Sequence, residues 1–255
     1  MQKKFNNVLI TGASSGIGEA VALYLAAHGV KNLFLSGRNA ERLNAVAEKC
    51  RGLGAMAHPQ IISVCDKEAM AKWIKACNQT AELDLVFANA GVSTGEETAE
   101  NVYNTFNTNV FGVLNTVTPA AEIFGARADK KAAKTIAITA SIAGYHGLPS
   151  CPSYSATKAC VKAYGEALRG SLRADNIEVS VICPGFVKSR ITDKNTCPMP
   201  FFMSAEKAAE IIVKRLEKNV GLIAFPWPMR LATWGLSILP NRLTDWLYAA
   251  LPHKV

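Results

Sequence analysis

Short apolar runs alternate along this chain with longer segments in which apolar residues recur about every 3.6 positions. The runs at 6–11, 32–36, 59–64, 83–88, 134–140, 177–183 and 221–225 predict strands. The segments 16–28, 39–51, 66–79, 99–126, 154–174 and 204–218 predict helices, and in the fifth Ala156, Ala159, Cys160, Ala163, Ala167 and Leu168 form a stripe. Runs such as Leu83 to Ala88, free of Pro, suit strands buried on both faces. Strand–helix alternation of this kind predicts an α/β fold, a parallel sheet covered by helices on both sides. No internal repeat and no linker rich in Pro, Gly or Ser precedes residue 190, so residues 1–225 are expected to form one domain.

The pattern changes in residues 226–255, an apolar helical extension. Phe225-Pro226-Trp227-Pro228 breaks the chain, and three of the four tryptophans (227, 234 and 246) follow within it. Two short helices are predicted on either side of Pro240, one with Leu231, Trp234 and Ile238, the other with Leu243, Trp246, Leu247 and Ala250. Three readings stand open. The stripes pack on the protein's own core or a symmetric copy, they cap a pocket, or they lie in a membrane interface, where Trp and basic residues are favoured.

Composition narrows the classes. With 255 residues, 49% hydrophobic and 19% charged, the chain can bury a large core and is not a disordered one. The net charge of +8 is uneven: residues 1–121 are balanced, whereas residues 186–255 carry ten basic against five acidic side chains. No run of five like charges occurs, which argues against a nucleic-acid partner; the Lys130-Lys131 cluster with Lys134 reads as solvated surface. The seven cysteines contain no C-x-x-C pair, so no metal site is expected. The first apolar run, Val8 to Ile10, is too short for a signal peptide, and no 18-residue apolar stretch exists. A cytoplasmic location with reduced thiols is the expectation, with membrane association through the extension as its variant.

Two places carry chemistry. The first strand runs into Thr11-Gly12-Ala13-Ser14-Ser15-Gly16-Ile17-Gly18, where a helix begins. Small residues there let a backbone approach a pyrophosphate, whose charge the helix N-terminus favours. No Lys follows Gly18, which argues against a phosphoryl-transfer loop. At the end of the second strand, Leu35-Ser36-Gly37-Arg38-Asn39 has no carboxylate for a ribose 2′-hydroxyl. Arg38 can instead pair with a 2′-phosphate, so NADP (NADPH) is the expected cofactor. Further on, Tyr154-Ser155-Ala156-Thr157-Lys158 puts Tyr154 and Lys158 on one helix face. A neighbouring ammonium would lower the phenol's pKa toward the operating range, and Ser141 at a strand end can hydrogen-bond a carbonyl oxygen as charge develops on it.

These segments together resemble the short-chain dehydrogenase/reductase family, in its branch of about 250 residues. The matching residues are Thr11–Gly18, Asn89-Ala90-Gly91-Val92, Asn109, Ser141, Tyr154-x-x-x-Lys158, and Pro184-Gly185 followed by Ser189, spread over residues 6 to about 192. The resemblance implies a Rossmann-type doubly wound parallel sheet of about seven strands, and an oxidoreductase that interconverts a carbonyl and a secondary alcohol. Tyr154 would be the general acid/base and Ser141 would orient the substrate oxygen. Lys158 would hold the nicotinamide ribose, and Asn109 would support a water-linked relay to it. Gly12, Ser14, Ser15, Gly16, Ile17, Gly18, Arg38, Asn89, Ala90 and Gly91 would line the cofactor, as would Tyr154 and Lys158. Pro184, Gly185, Val187 and Ser189 would frame its nicotinamide end.

One departure is Ser63, which stands where many relatives carry an Asp near the adenine; Asp66 reads as a helix cap. His146 is a loop histidine, and Cys151 lacks a group to activate it. Loops 92–98, 142–153 and 186–203 should shape the pocket, and Met199-Pro200-Phe201-Phe202-Met203 suggests an apolar ligand. The expected partners are a small carbonyl or alcohol substrate and a second or further copy of the chain, as homodimer or homotetramer. The alternatives are a non-catalytic NADP-binding sensor or scaffold, and a nucleotide-sugar epimerase or dehydratase. The full Asn109, Ser141, Tyr154 and Lys158 set argues against the first, and the absence of a large substrate domain against the second.

Overall fold

Seven parallel strands lie in the order β3-β2-β1-β4-β5-β6-β7, in a computed structural model that describes residues 5–194 and 198–249. They are β1 (Asn7–Thr11), β2 (Asn32–Gly37), β3 (Met56–Ile61), β4 (Leu85–Ala88), β5 (Lys134–Thr139), β6 (Ile177–Pro184) and β7 (Leu222–Phe225). Between them run α1 (Gly16–Ala27), α2 (Ala40–Gly52), α3 (Lys67–Thr80), α4 (Ala99–Phe106), α5 (Gly112–Gly125), α6 (Pro152–Ser171) and α7 (Ala205–Leu216). This is the doubly wound, Rossmann-type sheet that the alternation and the resemblance predict. Period-two alternation sorts β1 between two apolar layers. Val8 and Ile10 pack with Val21, Leu25 and Ile212, while Leu9 faces Met70, Ile74 and Val117.

Three elements differ from their predicted form. β3 sits three residues earlier than the apolar run 59–64, because its register is set by pairing Asn32 with Met56 and Gly37 with Ile61. It is an edge strand, so it tolerates Pro59 and leaves Met56 and Ile61 exposed. The helix predicted over 99–126 is interrupted by a π turn at Asn107–Phe111. Of the predicted stripe on α6, Ala156, Ala159, Cys160, Ala163 and Ala167 face outward, while Leu168 packs against the core. The buried face of this helix is Ser153, Ser155, Thr157, Lys158, Val161 and Gly165, so α6 is rotated to bring polar groups inward. Lys134, expected at the surface, is buried at the start of β5 and ion-paired to Glu82 at 2.8 Å and Asp84 at 3.4 Å.

Two helices, α8 (Trp227–Ile238) and α9 (Asn241–Ala249), follow β7. Their apolar stripe does not pack on the protein's own core: Trp227, Leu231, Trp234 and Ile238 are 74%, 57%, 51% and 63% exposed. Ala250, expected on the stripe of α9, and residues 251–255 lie outside the described residues. Among those residues no helix is long and apolar enough to cross a membrane.

Candidate active site

The sheet order reverses direction between β1 and β4, which opens a crevice at their carboxyl ends. Thr11 and Asn89 close the backbone around it. The Thr11 hydroxyl accepts from the N–H groups of Asn89 (3.0 Å) and Ala90 (3.2 Å). The Asn89 amide donates to the Thr11 and Gly12 carbonyls at 3.2 and 3.3 Å. Gly12, at φ +68°, leaves no room for a side chain, since a Cβ there would stand 2.7 Å from the Ala90 Cα. A Cβ on Gly18 would strike the Gly12 carbonyl oxygen, so Gly18 acts through the turn behind the crevice.

A cavity of about 460 Å³ fills this crevice. Gly12, Ser14, Ser15, Gly16 and Ile17 line it on one side, Asn89, Ala90 and Gly91 on another, and Pro184, Gly185, Val187 and Ser189 on a third. Ser15 precedes α1 without capping it, which leaves the first N–H groups and the positive end of the helix dipole to a ligand. Ser189 is braced by Thr192, whose hydroxyl accepts from the Ser189 N–H at 2.8 Å.

At one end the cavity is lined by Ser36, Arg38, Asn39 and Arg42. Asn39 is occupied in capping α2 through the Arg42 N–H at 2.8 Å. The Arg42 Nε and the Ser36 hydroxyl are buried with no partner among the described residues. A buried unpaired donor is costly, so these groups fit an anionic, hydroxyl-bearing ligand. Arg42 was not foreseen from the sequence; it lies in the first turn of α2, four residues after Arg38 of the preceding loop. Ile62, Ser63, Val64 and Cys65 line the neighbouring wall. Asp66 caps α3 by accepting from the Ala69 N–H at 3.0 Å, as expected.

The other end holds Ser141, Tyr154 and Lys158. Ser141 follows β5; its hydroxyl accepts from the Ala143 N–H at 3.1 Å and donates to the Pro184 carbonyl at 3.5 Å. Burial pushes the Tyr154 pKa up to about 12, with only Ser141 working against it. The Lys158 ammonium, expected to act on this phenol, is directed to a backbone carbonyl. Nζ lies 5.6 Å from the phenol ring centroid and donates to the Thr139 carbonyl at 2.9 Å. Burial holds Lys158 down at about 8.

Asn109 does not line the cavity; it is buried in the π turn behind it. Its side chain grips Val92 twice, accepting from the N–H at 2.8 Å and donating to the carbonyl at 2.9 Å. It also donates to Thr157 on α6 at 3.2 Å. Ser36, Arg42, Thr139 and Thr192 are groups that pattern reading missed: each is polar and buried or half-buried, but only neighbours in space reveal its role.

A family model described as short chain dehydrogenase matches residues 6–198. An uncharacterized oxidoreductase of Myxococcus xanthus is 35% identical over 250 residues, 96% of each chain. Among solved structures, a short chain dehydrogenase/reductase of Burkholderia phymatum in complex with NAD has a TM-score of 0.82 at 24% identity, covering 99% of this chain and 100% of that one. A short-chain dehydrogenase of Sphingobium yanoikuyae in complex with NADPH has a TM-score of 0.79 at 22% identity, covering 98% of each.

Proposed function

The chain belongs to the short-chain dehydrogenase family of oxidoreductases, and from that premise we propose an NADPH-dependent reductase of apolar carbonyl compounds. The observation that carries this reading is the single cavity joining Arg38 and Arg42 at one end to Ser141, Tyr154 and Lys158 at the other. The solved relatives bind NAD in one case and NADPH in the other, so the choice rests on this chain's own residues. Two guanidiniums and no carboxylate at the ribose end favour a 2′-phosphate over a bare hydroxyl. The uncapped start of α1 suits a pyrophosphate.

A nicotinamide dinucleotide bound here supplies the hydride. Tyr154 then delivers a proton to the substrate oxygen, while the Ser141 hydroxyl stabilises the charge that develops on it. A phenol held near pKa 12 keeps its proton at neutral pH, which suits the reductive direction. Lys158 holds the ribose, and Asn109 fixes the turn beside it.

The apolar substrate is supported by Ile142, buried beside Ser141, and by Met229 of α8, whose Sδ stands 3.0 Å from where a side chain on Gly185 would begin. The outward faces support two further parts of the reading. The small-residue stripe on α6 suits association of two copies. The exposed tryptophans of α8, with Arg230 beside them, suit contact with an anionic membrane surface.

The test is oxidation of NADPH and NADH by the purified chain over a panel of aliphatic, aromatic and fatty-acyl carbonyls. A kcat/KM at least about tenfold higher with NADPH is expected, the size of one lost charge-assisted hydrogen bond. Equal or better use of NADH would overturn the cofactor assignment. NADPH binding without turnover of any carbonyl would favour a sensor.

A further inference from the structure

α6 carries both Tyr154 and Lys158, yet its own sequence caps it poorly. Its N-cap position is Cys151, whose side chain makes no cap hydrogen bond, and its first residue is Pro152. The next N–H group, that of Ser153, must find an acceptor elsewhere. It finds Glu97, 56 residues away in sequence. The Glu97 carboxylate accepts from the Ser153 N–H at 3.1 and 3.3 Å and from the Ser153 hydroxyl at 2.8 Å. Ser153 is buried, and it immediately precedes Tyr154.

Glu97 stands at the end of a loop that is itself pinned along its length. Val92, at the start, is gripped on both backbone groups by Asn109. Thr94 meets Thr105 of α4 at 3.1 Å, and Thr98 caps α4 through the Asn101 N–H at 3.3 Å. The segment from Gly91 to Asn109 thus ties itself to α6 at two points. One is Glu97 on Ser153; the other is Asn109 on Thr157, whose hydroxyl in turn donates to the Tyr154 carbonyl at 2.8 Å. The two ties are one helical turn apart and bracket Tyr154.

We propose that Glu97 is a positioning residue of the active site: a distant cap that, with Asn109, sets where α6 presents Tyr154 relative to Ser141. This rests on the assignment of Tyr154 as the proton donor. Glu97 is not among the charges that act on the phenol, so its influence is on placement. A carboxylate is suited to the task because it accepts two hydrogen bonds at once and stands at the positive end of a 20-residue helix.

The experiment compares Glu97→Ala, Glu97→Gln and Ser153→Ala with the parent chain, by steady-state kinetics, NADPH binding and amide hydrogen exchange. Glu97→Ala is expected to lower kcat about tenfold with NADPH affinity unchanged, a displacement of Tyr154 by a fraction of an ångström. Glu97→Gln keeps an acceptor and should recover most of that loss. Ser153→Ala, which keeps the N–H, should fall between, and adding it to Glu97→Ala should cost little more. Exchange should quicken together in residues 93–98 and in the first turn of α6. An unchanged kcat in Glu97→Ala, or a loss that Glu97→Gln shares in full, overturns the proposal. So does faster exchange confined to 93–98. The exchange readout holds even if the parent chain reduces none of the carbonyls tried, so failure of the tie and failure of the reductase reading are told apart.

Discussion

The two ends of the cavity are built on opposite plans. Toward the ribose and pyrophosphate, polar groups are left without partners among the described residues: the Arg42 Nε, the Ser36 hydroxyl and the uncapped start of α1. At the catalytic end, the polar groups are committed to one another, Lys158 to Thr139, Asn109 to Val92 and Thr157, Ser153 to Glu97. The first plan stores binding energy that only a ligand releases. The second sacrifices that reserve for placement, which is what a proton transfer needs.

The sharpest way to break this contrast is to remove the group at the catalytic end that gives the substrate its proton. Tyr154→Phe should lower kcat by about 10²–10⁴-fold while NADPH affinity, read by its fluorescence, stays within about twofold. Retained turnover would remove Tyr154 from the mechanism. At the other end the outcome should invert: Arg38→Leu and Arg42→Leu should each weaken NADPH binding by about ten- to a hundredfold and leave NADH binding nearly unchanged. Equal losses for both cofactors would mean that the guanidiniums shape the cavity without reading the 2′-phosphate.

The smallest effect concerns stability. Lys158 is held at about 8 in the fold against 10.5 in the open chain. Between those values the unfolded chain binds the extra proton, so the parent protein gains stability as pH rises through that window. Lys158→Met lacks this gain. Without ligand it should melt about 2–5 °C higher than the parent at pH 7, and the gap should narrow by pH 10. The buried thiols of Cys50 and Cys77, whose pKa values are raised by burial, titrate in both proteins and drop out of the difference. A gap that widens with pH would contradict the assigned burial of charge.

The legible and illegible parts of the site divide along the same line. Gly12, Gly16, Tyr154 and Lys158 could be found from the sequence because their spacing is local, set by one turn or one helix. Arg42 also lay close in sequence, in the first turn of α2 just after Arg38. Glu97 did not, because the residue it serves is 56 positions away. The interruption of the helix over 99–126 was hidden for a similar reason: the side chain of Asn109 that occupies the π turn bonds to Val92 and to α6, neither of which a periodicity can show. The outward stripe on α6 shows the reverse error. Apolar spacing marked a face, but the pull of Lys158 and Thr157 into the site turned that face to solvent.

By itself the sequence determined the order of strands and helices, the glycine turn and the pair Tyr154 and Lys158, since apolar period and short spacings are properties of neighbouring residues. The tertiary structure decided which of the two ammonium contacts Lys158 makes, which arginines share the ribose end, and how α6 is anchored. Those depend on where separate strand ends and loops meet, and only the assembled sheet with its helices brings Thr139, Arg42 and Glu97 to their places.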